Sequence, residues 1–344
     1  MIDWKFAQAT AERLVRPGPD LSSTEVADVM GDLRESATMA VTPVAEFTGL
    51  KSSWRTPVLV VDRPRWVEAN IQSFGVIFEP VEAKLAELGK LPQGQLAPKV
   101  AGAELGAIMS FLSSKVLGQF DPFWQSPTGD PGRLLLVAPN IVHVERELDV
   151  DPTDFRRWVC LHEETHRAQF TAVPWMRGHL VSLVGELVDA MSADGGELSQ
   201  TLASSAGEIV KILRGQSEKS LSEVFHNEAQ REVVARITGL MSLLEGHADV
   251  VMDDIGPQVI PTVADIRVKF NKRRASPTGL AGILRRLLGM EAKMRQYRDG
   301  AVFVREIHDK VGREGFDALW ADASHLPTHA EILRPRLWLD RVHA

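Results

Sequence analysis

The chain has 344 residues, with 39 Lys and Arg against 46 Asp and Glu and a formal net charge of −7. An apolar share of 44% and a charged share of 25% are those of an ordinary globular protein, long enough for one large domain or two modest ones. The acidic balance argues against a nucleic-acid binder, the lone Cys160 excludes an intrachain disulfide, and no apolar run approaches the ~18 residues of a membrane span. The opening MIDWKFAQATAERLV is charged from its third residue, unlike a signal peptide, so a cytoplasmic location is expected.

Trp4 to Val15 has helical spacing and stops at Pro17-Gly18-Pro19. Ser22 and Glu25 form a capping box that opens a helix reaching about Ala40. Thr56 to Val61 is a short β-branched run, and helices are expected over Arg65 to Phe78 and Ala101 to Leu117. Prolines and glycines mark Asp121 to Gly132 as loop, and Gly132 to Ala138 is the best strand, closed by Pro139. Helices then dominate: Asp151 to Thr171, Gly178 to Met191, Ser205 to Leu213, Ser220 to Gly239, Ser242 to Asp253, one from near Thr262, and two between Leu280 and His308. The reading is a mainly α protein with a small β component. A boundary near residue 130 would separate a mainly helical region, 1–130, from a region 131–344, unless the two form one integrated domain. Lys269 to Arg274 reads as a solvated helix end.

The informative stretch is His162-Glu163-Glu164-Thr165-His166. Histidines four apart share a helix face, and two imidazoles one turn apart can grip one Zn²⁺. Glu163, beside the first ligand, can accept a proton from a water that zinc activates. A chance match in a chain this long arises on the order of 1% of the time. The helical context agrees, with Asp151 as N-cap, Pro152 at the first position and Asp154 in the first turn. Zinc needs a third ligand. Glu245 is preferred because Asp249, four residues on, could accept the outward N–H of a ligating histidine; His247 is its competitor. Gly246 marks a close approach, expected against the first motif helix. A carboxylate-rich di-metal site using His226, Glu228 and Glu232 is a lesser alternative, since the required pair of Glu-x-x-His motifs is absent.

These residues, with Val60-Val61-Asp62-Arg63-Pro64, Gly118 to Phe123, Leu244 to Asp249 and Lys293 to Tyr297, resemble the zincin-like metallopeptidases common in actinobacteria, a family labelled with biosynthesis of the deazaflavin coenzyme. The resemblance spans nearly the whole chain. It implies a zincin-like fold with an enlarged helical architecture and a hydrolase holding one Zn²⁺. His162, His166 and Glu245 would be ligands in the gluzincin manner, Glu163 the catalytic glutamate, and Asp249, in the Glu-x-x-x-Asp support position after Glu245, the acid that orients one histidine. Phe120 stands where the resemblance would put a tyrosine. The broader gluzincin likeness also implies an edge strand pairing with an extended substrate, for which Leu135, Leu136, Val137 and Ala138 are the candidates. Tyr297, the chain's one tyrosine, could stabilise an oxyanion or could simply bridge core and surface. The substrate expected is a peptide or small amide, with no nucleic acid and no membrane. The competing readings are a zinc-containing interaction or regulatory protein, its site closed by His247, and a non-peptide amidohydrolase.

Overall fold

The structure, a computed structural model, describes residues 2–53, 55–87, 89, 94, 96–126, 129, 131–192, 227–275 and 294–343. The helix expected at Ser205 to Leu213, and the first residues of that at Ser220 to Gly239, lie outside these. Among the described residues no helix is long and apolar enough to cross a membrane.

The fold is mainly α-helical with one small sheet. In chain order it comprises α1 (Trp4–Leu14), α2 (Ser23–Thr48), β1 (Val58–Val61), α3 (Arg63–Glu87), α4 (Leu96–Ser113), β2 (Gly118–Gln125) and β3 (Pro131–Val137). Then follow α5 (Ala138–Leu148), α6 (Pro152–Ala172), α7 (Met176–Ser192), α8 (Glu228–Val259), α9 (Val263–Ala275), α10 (Met294–Asp317), α11 (His329–Leu333) and α12 (Pro335–Val342). The Ser22–Glu25 capping box forms as expected. Its helix runs past Ala40 through Pro43 to a left-handed Gly49.

The strand order is β1-β3-β2. β3 pairs in parallel with β1, Val58 opposite Leu134, and antiparallel with β2, Gly118 opposite Leu136. This corrects the expectation of a substrate-pairing edge over Leu135, Leu136, Val137 and Ala138. The first three lie on the central strand with main-chain partners on both sides, and Ala138 already begins α5. An uninterrupted apolar run marks a strand covered on both faces, not an edge. The covering follows the pleat. Leu135 and Val137 pack with Ala7, Ala11, Trp66, Val67 and Met109, while Leu136 joins the larger core of α2, α6, α8 and α10.

Buried Asn140, at the start of α5, ties the layers together. Its amide donates to the carbonyls of Ser113 (2.7 Å) and Val116 (2.6 Å) and accepts from Arg63 Nε (2.7 Å). Those bonds fix the turn that delivers β2 beside α6.

Candidate metal centre

α6 begins as its sequence demands. Asp151 accepts from the Asp154 amide at 2.9 Å, Pro152 opens the helix, and Asp154 accepts from Thr262 at the start of α9. Phe155 and Trp158 clasp Phe270 of α9, so the helix is anchored through its N-terminal half. The motif follows one turn later.

His162 and His166 project from one face of α6, their Nε2 atoms 3.2 Å apart. Glu245 arrives from α8, with carboxylate oxygens 3.8 Å from His162 Nε2 and 3.6 Å from His166 Nε2. The three ligand atoms all lie within 4.8 Å of one another, forming a group that could hold a metal ion. Two ligands about 2.05 Å from a tetrahedral zinc lie about 3.3 Å apart, which the observed spacings match. The donor chemistry agrees. His166 Nδ1 faces the Gln169 side-chain oxygen at 2.9 Å and His162 Nδ1 faces Met252 Sδ at 3.3 Å. Ring protons on those outward nitrogens leave two Nε2 lone pairs and a carboxylate converging, an arrangement that a cation reconciles.

The two adjacent glutamates of the motif have different surroundings. Glu164 is buried with Ser52, whose hydroxyl donates to it at 2.6 Å, and with the Arg167 guanidinium, Nε 2.7 Å away. Glu163 is buried against the first residue of β2. A Cβ built on Gly118 would stand 2.5 Å from Glu163 Cγ and 2.7 Å from its Oε1, so only glycine leaves room for the carboxylate. Burial, and then the neighbouring Glu245 charge, push the Glu163 carboxyl well above the usual range.

His247 does not join the ligand group. It is buried, its ring 5.5 Å from that of Phe316 and 5.4 Å from that of Trp320, and its Nδ1 lies 3.0 Å from Gln169 Nε2. Burial first, then His308 and His166, push it down to about 3. Asp249 lies one turn beyond Glu245, where its Oδ1 accepts from Arg267 of α9 at 3.1 Å. Gly246 does mark a close approach, but to α10 and not to α6. A Cβ there would meet the Gly300 backbone and the Ala301 nitrogen at 2.5 Å. Phe120 stacks on Phe170 of α6, centroids 5.6 Å apart, and fills its site without a hydroxyl. The Tyr297 side chain and His226 lie outside the described residues. Glu228 and Glu232 are exposed at the start of α8, and Glu228 is 17 residues, about 25 Å, from Glu245, too far for a shared site.

Sequence reasoning missed Gln169, Gly118, Met252 and Gly300. Gln169 carried a signal, being three residues past His166 on the same helical face.

A family model described as zincin-like metallopeptidase matches residues 2–339. No curated protein matches. A crystal structure from Chloroflexus aurantiacus, described as a candidate hydrolase with a novel fold, is similar with a TM-score of 0.71 and 27% identity, covering 100% of this chain and 99% of that one.

Proposed function

The chain belongs to the zincin-like metallopeptidase family, and from that premise we propose that it is a mononuclear zinc peptidase cleaving an amide bond with Glu163 as general base. The observation that carries the proposal is the convergence of His162, His166 and Glu245 beside a buried carboxylate. These three residues would hold the ion. Zinc bound there supplies a Lewis acid that polarises a carbonyl and brings the pKa of a bound water to about 7.

This chain's residues account for the rest. Glu163, whose carboxyl is raised by burial and then by the Glu245 charge, takes a proton from the attacking water and returns it to the leaving nitrogen. Gly118 sets how closely that carboxylate lies along β2. Asp249, clamped by Arg267 of α9, steadies the ligand helix one turn beyond Glu245. The sheet edge nearest Glu163 is β2, and an extended substrate would pair along its first residues, because the Pro122 carbonyl further on accepts from Arg177 Nε at 3.0 Å. The reading favours an open site over a zinc-closed regulatory one because His247 is held away from the ligands by Gln169 and two aromatic rings.

The test is a peptide-library cleavage screen run with wild type and E163Q, with zinc content measured on both. E163Q should keep its zinc and lose turnover by 10²-fold or more, on the order expected for a general base. An E163Q protein with full zinc and full turnover overturns the proposal.

A further inference from the structure

Gln169 is fully buried on α6, and its amide has three neighbours of fixed or fixable polarity. Nε2 donates to the Leu244 carbonyl at 3.1 Å and lies 3.0 Å from His247 Nδ1, while Oε1 lies 2.9 Å from His166 Nδ1. A backbone carbonyl can only accept. That single fact decides the orientation. Turning the amide over would set its oxygen against the Leu244 oxygen, and would demand a bare Nδ1 on His166, forcing the ring proton onto the Nε2 that faces Glu245.

We propose that Gln169 is a positioning residue that sets the tautomer of His166, reading its own orientation from the main chain of the helix that carries Glu245. The Leu244 carbonyl fixes the amide, the amide oxygen holds the proton on His166 Nδ1, and Nε2 is left bare toward the ligand group. His247 completes the lock by accepting from the same amide nitrogen through Nδ1. The residue before the third ligand therefore orients the second, so α6 and α8 must be docked before the histidine pair is competent. The inference rests on the zinc reading above for its purpose, but its geometry exists without the ion.

The experiment separates the two. In metal-free protein labelled with ¹⁵N-histidine, the spectrum distinguishes protonated from bare ring nitrogens. His166, assigned by loss of its signals in H166A, should carry its proton on Nδ1; a proton on Nε2 in wild type overturns the proposal without any further variant. Q169M keeps the volume and loses both ends of the amide, and should mix the His166 tautomers and weaken zinc binding by 10–100-fold. Q169E retains an acceptor for His166 and should restore the Nδ1–H tautomer. Q169M with an unchanged His166 spectrum and unchanged zinc affinity refutes the assignment. Loss of turnover plays no part in these readouts, so an inactive but zinc-binding protein would count against the peptidase proposal alone.

Discussion

Gly118→Ala tests the catalytic assignment with one methyl group. Gly118 stands at the head of β2, opposite Leu136, and its main-chain pairing would survive the change. The new Cβ would lie 2.5 Å from Glu163 Cγ, 2.6 Å from Cδ and 2.7 Å from Oε1. Ordinary contact begins near 3.4 Å, so the side chain must retreat by about 0.9 Å. His162, His166 and Glu245, the group that could hold the ion, are other side chains and need not move with it. A general base displaced by ~1 Å costs on the order of 10²-fold, or about 2.7 kcal/mol of transition-state stabilisation. Single-turnover rates on a peptide recovered from the cleavage screen, with zinc content measured in parallel, should show that loss in kcat with metal retained. G118A with wild-type turnover would mean that the Glu163 carboxylate, as placed here, is not the base.

Gly246→Ala sets a Cβ against the backbone of Gly300 and Ala301, which cannot rotate away, so α8 and α10 must part. The expected cost is about 2–3 kcal/mol in urea unfolding, and a change below about 0.5 kcal/mol would show that the helices do not cross here. His247 supplies a pH test. Its folded pKa of about 3 lies below its ordinary 6.5, so between those values the unfolded chain binds a proton that the folded chain does not. Stability contributed by neutral His247 is full above about 6.5 and declines as pH falls toward 3, by up to about 1.4 kcal/mol per unit. H247F should flatten that part of the profile between about pH 7 and pH 5; parallel profiles for the two proteins would contradict the placement.

How much of this could be read from the residues depends on the range of each interaction. The histidine pair was legible because four-residue spacing on a capped helix is local geometry, and Asp151 and Pro152 announced the cap. Glu245 was legible through its spacing to Asp249; Arg267 beside Asp249 was not, because that contact comes from packing between helices, whereas Gln169 supports His166 from the same helix. Strands β1 and β3 were legible as short apolar runs, but their pairing was not, because it joins Val58 to Leu134 across 76 residues. β2 was not legible, because Asp121-Pro122 reads as loop but sits in the strand, the Asp121 carboxylate meeting Arg133 at 2.9 Å and Ser73 at 2.6 Å. Pro139 reads as the end of a strand, whereas a proline in the first turn of a helix costs nothing, and α5 begins there. The helices expected over Ser220 to Gly239 and Ser242 to Asp253 are joined in one, Glu228–Val259, and Gly239 does not end the first. It lies inside α8, where a Cβ would meet the Pro327 carbonyl at 2.6 Å, so its smallness serves packing against the C-terminal segment.

The Gly246–Gly300 crossing bears on how much polypeptide the hydrolytic apparatus needs. Ser242, Gly246 and Gly300 touch main chain to main chain, one residue from Glu245. A fragment stopped after α9 would retain every metal-binding side chain yet leave the strut behind Glu245 without its buttress. Minimal versions of the protein should therefore be judged by whether they keep residue 300, not by whether they keep the motif.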